Sequence, residues 1–262
     1  MIIIAVGWLV MVIWALASYW LHVLHGSSSS LQIADASYGL GVKYYNQKQY
    51  ALAEQQLKKA HALALDNQNG DVYFDLGLVH KDEHRYALAE HEINQSLVLE
   101  PEDWDAYMSL GEIYGDQNLY ASGDKAYSSA IALDGTKPDA YVELGELQFR
   151  QRDYESAEKN LTKAVELDPS DATAFVWLGT LYRHEARYAL SLEAYKYAEH
   201  IAPNDPAPCV GLGNVYYVQK KYLVAESAYH KALANDAKNP EALQMLALTQ
   251  KALRQVPKAS KK

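Results

Sequence analysis

Residues 138–171 read PDAYVELGELQFRQRDYESAEKNLTKAVELDPSD, and the reading of this stretch decides the fold. Two apolar-periodic segments of about a dozen residues flank a short polar turn, which is the pattern of a helix–turn–helix pair. Leu144-Gly145 centres the first segment, and Tyr154 stands nine residues after that glycine. The second segment carries Leu161 and Leu167 at helical spacing, with Ala157 and Ala164 as its small positions. Small residues belong where helix axes approach closely, and large ones fill the space between neighbouring pairs.

Working outward, the same design recurs along the chain. Gly41, Gly77, Gly111, Gly145, Gly179 and Gly213 form a ladder whose first gap is 36 residues and whose other gaps are 34. Leucine precedes each glycine: Leu40, Leu76, Leu110, Leu144, Leu178 and Leu212. Nine residues after each glycine stands Tyr50, Tyr86, Tyr120, Tyr154, Tyr188 or Tyr222. Small residues recur twelve after it (Ala53, Ala89, Gly123, Ala157, Ser191, Ala225) and nineteen after it (Ala60, Ser96, Ala130, Ala164, Ala198, Ala232). Pro101, Pro169 and Pro203 close three of the units. A self-similar period of this length is the mark of a repeat architecture.

The Leu-Gly, Tyr, small-residue and Pro pattern at 34 residues resembles the tetratricopeptide repeat family, over nearly the whole of the chain after residue 33. Two departures stand out. Residues 66–71 hold a two-residue insertion, and unit three has Gly123 and Gly135 where alanine and proline are usual. The resemblance implies an all-α, right-handed superhelical solenoid of six helix pairs, at 34–69, 70–103, 104–137, 138–171, 172–205 and 206–239. A capping helix is expected at 240–254, because Gln244, Thr249, Gln250, Lys251 and Arg254 mix polar residues into it, and a solenoid needs a solvated last face. A disordered tail is expected over 255–262.

The resemblance also implies that first helices line a concave face where an extended peptide or partner helix binds. By the family pattern the residues facing it are Tyr38, Tyr45, Phe74, Asp75, Met108, Glu112, Glu143, Glu146, Phe149, Trp177, Asn214 and Tyr217, with Asp116 at the rim and Arg183 and His184 near the C-terminal part. Val42, Leu78, Val176 and Val210 stand where a carboxylate-clamping subclass has Lys and Asn, so clamping of a chain terminus is not expected. An acidic, aromatic groove suits a partner carrying Lys or Arg among apolar residues. Glu112, Glu143 and Glu146 are the expected recognition patch. Asp71, Asp105 and Asp139 read instead as helix-start carboxylates that stabilise exposed N–H groups.

Ahead of the repeats, residues 2–24 (IIIAVGWLVMVIWALASYWLHVL) contain no Asp, Glu, Lys or Arg. A helix of this length rises about 35 Å, enough for a hydrocarbon core of about 30 Å. Residues 1–25 are therefore expected to be a transmembrane signal-anchor and 26–33 a flexible spacer. The alternative is a cleaved signal peptide with Ala15-Leu16-Ala17 as the cleavage motif. Against it, no basic residue marks an n-region, and the apolar run continues beyond Ala17. The first basic residue afterwards is Lys43, so the body is expected outside the cytoplasm.

A net charge of −9 argues against nucleic acid as a partner. Cys209, the single cysteine, permits no internal disulfide and no cysteine metal cluster; at a core position it reads as a small buried hydrophobe. His80 and His84 lie four apart with His91 beyond, but His80 takes a position that is tyrosine in sister repeats and His84 falls in a turn, so no metal ligand is assigned. No phosphate loop, nucleophile elbow or dinucleotide fingerprint occurs. The expected function is a membrane-tethered, non-enzymatic scaffold for a protein or peptide partner, without cofactor or small-molecule substrate. The rival expectation is a constitutive subunit of a membrane complex that uses the spanning helix as an interface.

Overall fold

The computed structural model describes residues 30–63 and 70–255. Among these residues there are thirteen helices and no strand. They fall into two compact units, the first up to Ile113 and the second from Tyr114. The first unit holds α1 (residues 30–46), α2 (Tyr50–Leu63), α3 (Gly70–Asp82), α4 (Tyr86–Leu99) and most of α5 (Trp104–Asp116). The second holds α6 (Tyr120–Leu133), α7 (Pro138–Gln151), α8 (Tyr154–Leu167), α9 (Ala172–His184), α10 (Tyr188–Ile201), α11 (Pro206–Val218), α12 (Tyr222–Asn235) and α13 (Pro240–Gln255).

Two expectations need correction. Residues 30–33, assigned from sequence to a spacer, are helical; Ala34 is buried and starts a face that Ser37 and Gly41 continue at helical spacing. The single-pass membrane localisation with an extracytoplasmic body is withdrawn, because no helix among the described residues is long and apolar enough to cross a membrane. Helix α13, for example, has 16 residues, would rise only about 24 Å, and carries Glu241, Lys251 and Arg254. The segment that carried the expectation, residues 2–24, lies outside the described residues, as do the insertion over 64–69 and residues 256–262.

Five of the hairpins close through one kind of contact. A Cβ built on Gly41 would meet the Leu57 side chain at 2.7 Å, on Gly145 the Leu161 side chain at 2.7 Å, and on Gly213 the Tyr229 ring at 2.4 Å. The partner always stands sixteen residues after the glycine: Ile93 serves Gly77 and Tyr195 serves Gly179 in the same way. Glycine therefore lets the second helix press a large side chain onto the backbone of the first. Leu57, Ile93 and Leu161 are fully buried as a result. The alanines of the grid complete the seam: Ala53, Ala60, Ala157, Ala164, Ala225 and Ala232 expose 2% of their surface or less.

The turns are equally regular. Lys48, His84, Asn118, Arg152, Ala186 and Lys220, each seven residues after its glycine, all take positive φ between 56° and 68°. Around Ala186, its own N–H bonds Arg183 O at 3.1 Å and Arg187 N–H bonds Tyr182 O at 2.8 Å. That pair of bonds is a Schellman motif, which normally takes glycine at the left-handed position. At the other helix ends, Asp103, Asp171, Asp205 and Asn239 accept N–H bonds of the first turns of α5, α9, α11 and α13. Asp71, Asp105 and Asp139 lie in first turns, favourable for the helix dipole, while the capping bond before α5 goes to Asp103.

Successive repeats are joined by polar rungs. The side chain three after the glycine reaches back to the residue thirteen after the preceding glycine. Gln148 Nε2 donates to Asp124 Oδ2 at 3.0 Å, and Gln250 Nε2 to Glu226 Oε1 at 3.1 Å. Tyr182 bonds Glu158, and His80 Nε2 faces Glu54 Oε1 at 3.2 Å. Arginines reinforce two rungs: Arg187 holds Glu158 through both of its terminal nitrogens at 2.7 and 2.9 Å, and Arg85 holds Glu54 at 3.0 Å. Lys58 first, then His80 and Arg85, hold the Glu54 carboxyl down at about 2.

Two substitutions of opposite sign test the hairpin. Gly213→Ala should cost about 1–3 kcal/mol by driving a methyl group into the Tyr229 ring, whereas Ala186→Gly should stabilise by up to about 1 kcal/mol by relieving the left-handed strain; urea titration reads both. Because the folded Glu54 carboxyl sits below its ordinary value, its contribution is complete above about pH 5 and disappears as pH falls toward 2. The acid-unfolding profile of Glu54→Gln should accordingly be flatter than that of the parent over this interval.

Candidate functional site

Odd-numbered helices of neighbouring repeats pack side by side in the second unit, α7 on α9, α9 on α11 and α11 on α13. Of the sequence-assigned residues, α7 carries Glu143, Glu146 and Phe149, α9 carries Trp177, and α11 carries Asn214 and Tyr217. Phe149 is the centre of an aromatic group. Its ring lies 5.7 Å from Trp177, 5.6 Å from Tyr154 and 5.0 Å, edge-on, from His184. Offsets of this size suit aromatic pairs. Burial, with Arg183 and Arg152 nearby, pushes the His184 imidazole below its ordinary value. The same pair of repeat positions joins Tyr217 to Tyr222 at 5.5 Å.

Glu146 stands one turn before Phe149 and on the same side of α7. It is half-buried, and desolvation raises its carboxyl above the ordinary range, with Arg150 opposing and Asp116 adding to that rise. Arg150 itself donates to Gly115 O at 2.9 Å. Glu143, one turn earlier still, lines a shallow depression with Asp139, Asp168, Asp171 and Thr173.

A second depression lies between α9, α11 and the start of α13. Val176, Thr180, Arg183, Val210, Asn214 and Glu241 line it. Gly211 opens its floor, since a Cβ there would fall 2.3 Å from the Tyr195 ring. Thr180 and the Tyr195 hydroxyl are 2.9 Å apart. Tyr229 donates to Asn214 Oδ1 at 2.8 Å, and Asn214 Nδ2 donates to Glu241 at 2.8 Å. Asn214 is therefore held by tyrosine from behind and by carboxylate from the side. Arg183 Nε is buried without a hydrogen-bond acceptor. Sequence reasoning had named Arg183 only as a neighbour and had missed Thr180 and Glu241. The signal for Thr180 is the tyrosine sixteen after the glycine, whose hydroxyl reaches the residue one after it; Glu241 comes from the next helix and has no such signal.

In the first unit the assigned residues are tied into the fold. Tyr38 bonds Asp75, whose carboxyl is raised chiefly by desolvation. Tyr45 bonds Asp82, which also accepts from the Tyr50 hydroxyl at 3.3 Å. Phe74 is half-buried and Met108 is buried. Glu112 is paired with Lys81. It belongs to the first unit, while Glu143 and Glu146 belong to the second.

Cys209, far from acting as a nucleophile, packs against Ala232 and Ala242 and donates to Glu199 Oε1 at 3.0 Å. Burial, with Glu199 beside it, pushes its thiol up to about 12.

The tetratricopeptide repeat model matches residues 74–138 and 142–206. No curated protein sequence matches the chain. Among solved structures, the pilus biogenesis factor PilW superposes with a TM-score of 0.71 at 16% identity, covering 82% of this chain and 99% of PilW. YrrB, described as a TPR protein with an unusual peptide-binding site, gives 0.54 at 18% identity over 72% of this chain and 96% of YrrB. The anaphase-promoting-complex tetramer Cut9–Hcn1 gives 0.66 at 18% identity over 85% of this chain, which spans 46% of the matched chain. These likenesses establish a helical repeat fold.

The thiol chemistry is testable. Native Cys209 should resist alkylation at pH 8 and react rapidly once the chain is unfolded in guanidinium. Mass spectrometry follows the adduct; equal rates in the two states would remove Cys209 from the core.

Proposed function

We propose, from the premise that the chain carries tetratricopeptide repeats, that it is a protein-interaction scaffold holding an extended polypeptide along the exposed face of α7, α9, α11 and α13. The observation that carries this reading is the Phe149–Trp177–His184 group with Glu146 one turn away on the same face. An apolar platform beside a partly desolvated carboxylate suits a segment that presents Lys or Arg among apolar residues. Such a cation gains over the ring faces and relieves the raised Glu146 at the same time.

The second depression adds specificity of another kind. Arg183, Asn214 and Glu241 converge there beside Val176 and Val210, so a polar backbone would be read between apolar walls. The peptide-binding site named for YrrB and the pilus biogenesis role named for PilW fit a scaffold of this sort, and at 18% and 16% identity the likeness speaks for the fold alone. The binding role proposed here requires no catalytic step and no cofactor.

Immobilised peptides that differ only in the sign of their charged residues provide the test. Basic-apolar peptides should bind best, and the double reversal Glu143→Lys with Glu146→Lys should weaken them at least about tenfold, or roughly 1.4 kcal/mol. Phe149→Ala should weaken binding at every salt concentration, whereas the contribution of the two carboxylates should shrink as salt rises. Indifference of the chain to peptide charge, together with unchanged binding by the double reversal, would end this assignment.

A further inference from the structure

The rung between the first two repeats differs from its counterparts in having an imidazole at its centre. His80 is almost fully buried on α3, between Glu54 of α2 and Glu92 of α4. Its Nδ1 is bonded to Glu92. Its Nε2 is buried and has no hydrogen-bond partner, although Glu54 Oε1 stands 3.2 Å away off the bonding axis. The Glu83 carboxylate, from the turn after α3, completes a group whose nitrogen and two oxygens all lie within 4.8 Å of one another.

We propose that Glu54, His80 and Glu83 form a binding site for a divalent transition metal of zinc's character, with Glu92 as the positioning residue for the imidazole. An imidazole that gives one nitrogen to a carboxylate and points the other at an open cluster of oxygen donors is the arrangement that metal-binding histidines adopt. Bonds of about 2.0–2.1 Å in tetrahedral geometry place neighbouring ligand atoms about 3.3 Å apart. His80 Nε2 and Glu54 Oε1 already stand at that separation. Glu83 sits in a turn and is 27% exposed, so a change of rotamer brings its oxygen in. Water takes the fourth position.

Without metal, the positive charge comes from side chains. Arg85 Nη1 bridges Glu54 at 3.0 Å and Glu83 at 2.9 Å, and Lys58 pairs with Glu54 at 2.5 Å. Arg85 is 40% and Lys58 57% exposed, so both can swing into solvent when a dication replaces them. One nitrogen and two carboxylates select a borderline metal over calcium or magnesium, which favour all-oxygen shells. The sequence assigns no metal ligand, because the spacing of His80, His84 and His91 puts a repeat packing position beside a turn. His84 lies against the Tyr86 hydroxyl at 2.8 Å. Glu54 comes from the preceding repeat, so the local spacing of His80 and Glu83 does not by itself reveal the group.

The test uses the full chain, freed of any affinity tag and stripped with a chelator, titrated with zinc by calorimetry and with cobalt(II) by absorption. One saturable equivalent, a higher melting temperature and the strong visible bands of four-coordinate cobalt are expected. Glu92→Gln should weaken binding about 10–100-fold, Arg85→Ala should tighten it, and His80→Gln and Glu83→Gln should abolish it. Glutamine already fills the His80 position two repeats later, where Gln148 bonds Asp124 and Asn160, so His80→Gln is accommodated in a rung. Glu83→Gln alters only a turn and carries the test should His80→Gln unfold. If the parent shows no saturable equivalent, or binds zinc no better than Glu83→Gln, the cluster is an ion-pair network and the metal site is refuted.

Discussion

The constraint on which the structure depends is the missing side chain at Gly41, Gly77, Gly145, Gly179 and Gly213. Each gap admits a Leu, Ile or Tyr from sixteen residues later, and that insertion fixes how near the two helices of a hairpin approach. Everything else in the repeat follows from this spacing. The alanines twelve and nineteen after the glycine must be small because the seam is tight there, and the leucine before it is buried at Leu76, Leu110, Leu144, Leu178 and Leu212, while Leu40 is exposed. Burial of the plug contributes on the order of 2–3 kcal/mol per hairpin, more than any single turn or cap, which explains why the turns tolerate strained residues.

Between hairpins the logic is mixed. Apolar clusters such as Val142, Leu161, Leu178 and Leu181 supply attraction without direction. The rungs supply direction. A buried amide left unpaired costs about 1–3 kcal/mol, so Gln148 accepts a neighbour only where a partner stands at the right height. Arg187 and Arg85 add charge at two rungs near solvent. Exposed pairs of this kind are individually weak, but here each lies over a rung already fixed by packing.

Much of this fold was legible in the chain because the repeat grid records burial directly. Tyr154 opens a helix where the spacing says it should, and Leu161 and Ala164 are buried where the period puts them. The turns were less legible. Nothing about Ala186 or Arg152 advertises a left-handed residue, since the Schellman bonds impose that conformation from the helix ends. The site was half legible. Phe149 and Trp177 meet as aromatic neighbours, but Asn214 is committed to Tyr229 and Glu241, and Glu112 to Lys81. Those commitments join residues far apart in sequence and leave no periodic trace. The Asp103 cap was overlooked because Asp105, two residues on, has the same chemistry.

The rungs have a consequence for how the chain avoids folding incorrectly. Hairpins built on one grid are nearly interchangeable, so an array could assemble with a repeat skipped, or two molecules could exchange repeats. The apolar grid offers little resistance, because Leu meets Leu in either arrangement. The polar centres are not interchangeable: His80 meets Glu54 and Glu92, Gln148 meets Asp124 and Asn160, and Tyr182 meets Glu158. A skipped repeat would set each centre against a carboxylate placed for a different side chain, since Glu54, Glu90, Asp124 and Glu158 share one grid position. Variety at a single position thus gives each hairpin an address within an otherwise uniform stack.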